Sequence, residues 1–406
     1  MSTDSIVIVG VGHAAVQLCA SLVEAGQGHR VHLLGHEPEL PYQRPPLSKS
    51  FLKKADEPTQ LLREASWFEQ AGVKLSLGQT VQAIDRQAKT LILGSGATLG
   101  YGQLVLATGT RARTLPGWPA HASNVRLLRS AQDARALRAA IGACQAVTVV
   151  GGGFIGLEVA ATCAALGKAV TVLEAGPRLM GRAVSPALSA HVLAQHRAAG
   201  IGIELATELG EPVFHEGRLV RLQAPTGARE VDLLLVAIGA LPNAELAQAS
   251  GLACDNGVRV DAGMRTSDPD IWAVGDCAQF PLGSQRWRLE SIQNAQDQAR
   301  VAASRLLGGA AIYRPVPWFW SEQGAMRLQM VGLTDAGPLQ TVRRAGPQPG
   351  ALSLFHYQQG VLRCVESVNA PADYMVARKW LESGASPDPK RVADAGQPLR
   401  SLLPLA

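Results

Sequence analysis

The chain has 406 residues, of which 47% are apolar and 17% charged, with a net charge of +5. That profile excludes a disordered chain, and the length exceeds one hydrophobic core, so two or three domains with room for a large cofactor are expected. The basic residues are scattered, with no Lys/Arg run and no aromatic-basic interleaving, which argues against a nucleic-acid partner.

The cysteines are Cys19, Cys144, Cys163, Cys254, Cys277 and Cys364, with no CxxC and no histidine at metal-ligand spacing. A disulfide framework, a zinc site and an iron-sulfur cluster are therefore not expected, and these thiols read as small buried apolar groups. The stretch "MSTDSIVIVG" lacks a basic n-region and runs straight into a strand, so the expectation is a cytoplasmic protein. Glu158 and its neighbouring glycines make the apolar run over 146–167 a strand, turn and helix, not a membrane span.

In chain order, "SIVIVG", a helix to about Ala25 and "RVHLLG" predict a parallel sheet with crossover helices. In "GVGHAA", Gly10 permits a tight turn and Gly12 lets the backbone approach a pyrophosphate, while the small Ala15 allows helix and strand to pack closely. The next strand ends in "GHE", where an acid should meet a ribose hydroxyl; Glu37 and His36 both stand there. The string "ATGTRARTLPGWP" closes this unit, and from "AVTVV" the same plan restarts. The second copy has Gly151, Gly153 and Gly156 in full register, and Glu174 ends the following strand. A carboxylate there accepts bonds from both ribose hydroxyls and repels a 2'-phosphate, which selects NAD over NADP; Arg178, four residues on, is a weaker phosphate ligand than an arginine replacing the acid. Two dinucleotide sites in one chain imply electron passage between two dinucleotides, one of them a flavin.

Beyond "DLLLVAIGALPN" and "TSDPDIWAVGDCA" comes the helical "SIQNAQDQARVAASRLL", and from about residue 316 the strands "RLQMVGL", "ALSLFHY" and "LRCVESVN" precede a helix over 371–382. The fold class is α/β: two Rossmann-like dinucleotide-binding domains plus a C-terminal α+β domain with a small antiparallel sheet. The tail after Ser383, rich in Pro and Asp, is expected to pack loosely.

The strings "LPYQRPPLSK", "LVLATGTRARTLPG", "VGGGFIGLEVAA", "VAIGALPN", "TSDPDIWAVGDCA", "ESIQNAQDQA" and "PWFWSEQ" occur in this order along nearly the whole chain. Together they resemble the FAD-dependent, NADH-linked ferredoxin reductases that serve bacterial cytochrome P450 systems and Rieske-type aromatic-ring dioxygenases. The resemblance implies a glutathione-reductase-like flavoprotein: an FAD domain from 1–113 and 243–315, an NAD domain over 114–242 and a covering domain over 316–406. It implies tightly held, non-covalent FAD, contacted at Ala14, Arg44, Lys49, Val81, Ala107, Thr108, Gly109, Arg129, Asp276, Ile292 and Trp320. Ile155 and Gly239 join the nucleotide-binding set. One departure stands out, because His36 occupies the position where the family often has an acid.

Physical chemistry supports several of these roles. Asp276 ends a buried strand, where its carboxylate either bonds the ribityl chain or caps the next helical turn. The helix opening at Ser291 and Ile292 would stabilise negative charge at the N1/C2=O end of the flavin. Trp320 would stack near the isoalloxazine, whereas Trp318 and Phe319 read equally well as core. Glu158 lies in an apolar first helical turn, where a carboxylate either serves the helix dipole or needs a partner; the resemblance makes Lys49 that partner, near the flavin N5.

The implied reaction is hydride transfer from NADH to FAD, then single-electron transfer to an acidic [2Fe-2S] ferredoxin, with Arg63 and Arg300 as steering candidates. An NADH oxidase, peroxidase or disulfide reductase would need a redox cysteine early in the chain, and none occurs between 20 and 143. A non-catalytic, NADH-sensing flavoprotein of the apoptosis-inducing-factor kind would be marked by a basic nucleic-acid surface, long insertions in the C-terminal domain and slow flavin reoxidation, and the sequence shows none of the features that a sequence can show.

Overall fold

Short runs of Val, Ile and Leu without alternating polar positions are suited to strands covered on both faces. In the computed structural model, which describes residues 4–119, 122–224, 227–334 and 337–402, two such runs become the centres of two parallel sheets. By their contacts the residues group into two units: one of 1–43, 59–111 and 240–315, the other of 44–58, 112–239 and 316–406.

In the first unit the sheet order is Ile271–Ala273, Gln103–Leu106, Ile6–Val9, Val31–Leu34, Lys74–Ser76, all parallel. The first strand is central, and Ile6 pairs with Val31 on one side and Gln103 on the other. The helices His13–Glu24 and Ile292–Leu306 pack on each other. A three-stranded antiparallel meander, Val81–Asp85, Thr90–Leu93 and Thr98–Gly100, interrupts the alternation between strand and helix.

The second unit repeats the parallel plan with the order Gly202–Glu204, Ala169–Leu173, Ala146–Val150, Leu233–Val236, Val125–Arg126. It also holds an antiparallel sheet of five strands, Trp318–Gln323, Met326–Gly332, Val361–Val368, Leu352–Gln358 and Gln340–Ala345. The helix Pro371–Ser383 lies on this sheet and buries Tyr374, Ala377 and Trp380 against Val331, Phe355 and Val365. Among the described residues no helix is long and apolar enough to cross a membrane.

The expectation of a loosely packed tail is overturned. Val392, Leu399 and Leu402 are buried in the core of the C-terminal sheet. The Arg344 guanidinium, itself buried, donates to the carbonyls of Val392 (3.1 Å), Asp394 (2.6 Å) and Gln397 (2.7 Å). Composition misled here, because the tail is fastened through backbone carbonyls, which every residue has, and not through an apolar periodicity.

Candidate active site

The two glycine turns are built alike. Gly10 has φ +118°, and a Cβ there would lie 2.1 Å from the Ala107 carbonyl oxygen; Gly151 has φ +107°, and its Cβ would lie 2.4 Å from the Ala237 oxygen. Each turn is thus pressed against the end of the neighbouring strand, which only glycine permits. A Cβ on Gly12 or Gly153 would meet nothing within 4 Å, so both backbones are open to a ligand. The helices after these turns, His13–Glu24 and Phe154–Ala165, begin without a side-chain hydrogen bond from the cap residue, and a helix start of this kind suits an anion.

In the first unit Glu37 is buried and accepts a hydrogen bond from the Tyr42 hydroxyl, while His36 is exposed. Gly275, φ +80°, brings its backbone to Ala14, where an added Cβ would be 3.0 Å from the alanine's own. The Gly275 amide donates to Gln298 Oε1 at 2.7 Å, which ties the turn bearing Asp276 to the helix that opens at Ile292. Ser291 caps that helix by accepting from the Asn294 amide at 3.1 Å. Ala14, Asp276 and Ile292, remote in sequence, therefore sit on three elements fastened to one another. Thr108 and Gly109 are held by Asn243: the Thr108 hydroxyl donates to the Asn243 carbonyl (2.7 Å), the Asn243 side chain donates to the Thr108 carbonyl (2.9 Å), and its amide donates to Gly109 (2.9 Å). Val81 is half-buried at the start of the meander.

In the second unit the Glu174 carboxylate accepts from the amides of Gly152 (2.6 Å) and Gly176 (2.7 Å), fixing it beside the glycine turn. Arg178 donates to the carbonyls of Val184 (2.7 Å) and Gly181, so its guanidinium braces its own loop. Ile155, in the first turn of the helix, is 46% exposed. Gly239 is exposed with φ +103°.

Glu158 is 3% exposed and fully engaged. Its Oε2 accepts from Lys49 Nζ (2.7 Å) and Ser48 Oγ (2.5 Å), and its Oε1 accepts from Ser321 Oγ (2.7 Å). Lys49 Nζ also donates to the Pro45 carbonyl at 3.1 Å. The Pro45–Ser48 turn is docked on the helix by Thr162, whose hydroxyl donates to the Ser48 carbonyl at 3.0 Å. Arg44 donates to the Arg129 carbonyl at 2.7 Å, joining two further expected flavin contacts. Trp320 is half-buried with its ring centroid 5.7 Å from that of Trp318, and Phe319 packs on Phe154 at 4.7 Å. The pairing of Lys49 with Glu158 follows the sequence expectation. Ser48, Ser321 and Asn243 were not singled out, although each lies inside a quoted family string.

None of the six cysteines is in a disulfide. Burial pushes the thiols of Cys19 and Cys163 up to about 12 and also raises Cys277. Such thiols are protonated at neutral pH and poor nucleophiles.

Comparison with known proteins places this geometry in context. Residues 4–299 match the model for the pyridine nucleotide-disulphide oxidoreductases, and residues 318–403 match the reductase C-terminal model. The chain is 42% identical to rhodocoxin reductase of Rhodococcus erythropolis, with 96% of this chain and 92% of the relative covered. It is 41% identical to the ferredoxin–NAD(+) reductase component of the anthranilate 1,2-dioxygenase system of Burkholderia cepacia, with 99% of this chain and 100% of that one covered. The crystal structure of the ferredoxin reductase for the CYP199A2 system of Rhodopseudomonas palustris superposes with a TM-score of 0.94 at 40% identity, covering 98% of this chain and 99% of that one.

Proposed function

Because the chain belongs to the pyridine nucleotide-disulphide oxidoreductase family and carries a reductase C-terminal domain, we propose that it is an NADH-dependent, FAD-containing ferredoxin reductase. Its electron acceptor is a [2Fe-2S] ferredoxin serving a cytochrome P450 or a Rieske-type oxygenase; relatives are named for the CYP199A2 system and for an anthranilate 1,2-dioxygenase system. The observation that carries this reading is the pair of open glycine turns in one chain, one of them heading the helix that presents the Lys49–Glu158 pair.

FAD is held tightly and without a covalent bond, and when bound it supplies the conversion of one hydride into two single electrons. The residues assigned to it are Gly10, Gly12, Ala14, Ala15, Glu37, Arg44, Lys49, Val81, Ala107, Thr108, Gly109, Arg129, Asp276, Ile292 and Trp320. For the ribose contact, buried Glu37 beside Tyr42 is better placed than exposed His36, since its carboxylate is already oriented by a neighbour. NADH is assigned to Gly151, Gly153, Ile155, Gly156, Glu174 and Gly239, and Glu174, pinned by two amides, cannot swing aside for a 2'-phosphate. Arg178 donates to two carbonyls of its own loop, so its guanidinium is committed there and not turned toward such a phosphate. Lys49 and Glu158 orient the nicotinamide and steady the charge that moves during hydride transfer. In domain terms, 1–113 with 243–315 holds FAD, 114–242 holds NAD and 316–406 is the covering domain.

The test is anaerobic mixing with NADH or NADPH while the visible flavin band is followed, then cytochrome c reduction with and without a [2Fe-2S] ferredoxin. NADH should bleach the flavin much faster than NADPH, and cytochrome c reduction should require the ferredoxin. Preference for NADPH would remove the Glu174 assignment. Rapid oxygen consumption without ferredoxin would favour an oxidase, a reading the buried, protonated cysteines make unattractive.

A further inference from the structure

Beyond Lys49, the Glu158 carboxylate is the end of a longer chain of buried polar groups within the second unit. Ser321, at 0% exposure, gives its only hydroxyl hydrogen to Glu158 Oε1, so its oxygen is left as an acceptor. That acceptor takes the Gln323 side-chain amide at 3.2 Å. With its amino end so directed, Gln323 presents Oε1 to His196 Nε2 at 2.8 Å. Gln323 and His196 are 1% and 2% exposed, so neither exchanges its partner for water. The acceptor-only carboxylate at one end therefore fixes the donor direction of every link, and His196 must carry its proton on Nε2. Burial lowers the proton affinity of His196, which keeps the ring neutral near pH 7. If it does charge, Nε2–H is still a donor and the chain keeps its direction.

Such a network is costly to bury, and its links come from three elements: the strand Trp318–Gln323, the helix Pro186–Ala198 and the helix that carries Glu158. We propose that Ser321, Gln323 and His196 form a polarised relay of positioning residues that aims the Glu158 carboxylate at Lys49 for hydride transfer. The relay rests on the role given above to Glu158, and it leaves nucleotide affinity to the glycine turn and Glu174.

The test uses the FAD-loaded protein and anaerobic rapid mixing with NADH. Ser321→Ala should lower the limiting rate of flavin reduction roughly tenfold while the NADH dissociation constant stays within about twofold, and Ser321→Thr, which keeps the hydroxyl, should restore the rate. Gln323→Leu should lower the rate by a smaller factor, about threefold, because the Ser321 hydroxyl is then free to turn. Independently of turnover, the 15N-histidine NMR spectrum should show His196, assigned through His196→Gln, as the neutral Nε2-protonated tautomer. A ring protonated on Nδ1, or equal losses of rate in Ser321→Ala and Ser321→Thr, overturns the relay. Glu158→Gln separates the two layers: an unchanged rate in that variant removes the role of Glu158 itself, whereas a slow Glu158→Gln beside an unimpaired Ser321→Ala removes only the relay.

Discussion

A carboxylate buried in an apolar helix stays charged only with charged and hydrogen-bonding partners, and Glu158 has Lys49, Ser48 and Ser321. Glu158→Gln keeps the shape and removes the charge that faces Lys49, leaving the ammonium without its counter-ion. Flavin reduction is expected to slow by roughly 10- to 100-fold with FAD content retained; loss of FAD instead would mark the residue as a structural one. Glu174→Ala should weaken NADH binding by about 1 to 3 kcal/mol, read as a raised Michaelis constant, and leave NADPH little affected. Equal constants for wild type and variant would contradict the ribose assignment. Both acids were legible in the sequence, one as a carboxylate where apolar residues belong and the other at the end of a strand after a glycine turn. Ser321, Gln323 and His196 were not, because a serine or glutamine in a strand has no periodicity that distinguishes a buried donor from a solvated one.

At the scale of elements, the strands of the two parallel sheets and the helices after each glycine turn were readable from runs of Val, Ile and Leu and from the spacing of Gly. The antiparallel strands Val81–Asp85, Thr90–Leu93 and Thr98–Gly100, and likewise Pro212–His215, Arg218–Ala224 and Gly227–Glu230, were not, since they mix polar and apolar residues without a clear face. One of the strands carries a titratable group whose burial matters for stability. His32, in the strand Val31–Leu34, bonds to Ser76 Oγ at 2.9 Å, and burial, helped by Lys74, lowers its ring to about 4 from 6.5. The unfolded chain therefore binds a proton more readily than the folded one between these values. The stability contributed by the neutral ring is present above about pH 6.5 and is lost as pH falls through about 4. The thermal midpoint should drop across this window, and His32→Gln should drop less; His191 and His196, also lowered by burial, account for part of the remaining slope. Identical profiles for wild type and His32→Gln would dismiss this contribution.

For the whole molecule, a net charge of +5 favours encounter with an acidic partner, and the first unit exposes Arg63 and Arg300. Arg63 lies over the Trp67 ring, while Arg300 pairs with Asp297 at 2.6 Å, which neutralises part of its field. Arg63→Gln should therefore flatten the salt dependence of ferredoxin reduction more than Arg300→Gln, with NADH-driven flavin reduction unchanged; an unaltered salt profile in both removes them from the docking account. The grouping of 44–58 with residues far along the chain had no signature in sequence. It is made by contacts such as those of Arg138, whose guanidinium donates to the carbonyls of Phe51 (3.3 Å), Lys54 (3.1 Å) and Glu57 (3.2 Å).

The grip of Arg344 on the tail has a consequence for biosynthesis. Until residues 392–397 have left the ribosome, the Arg344 guanidinium, which also meets Asp373 at 3.5 Å, lacks the tail carbonyls that offset much of its dehydration. The C-terminal sheet, whose core includes Val392, Leu399 and Leu402, thus completes its packing only once this segment has been made. The strand Gln340–Ala345 therefore waits for partners made 50 residues later in the chain.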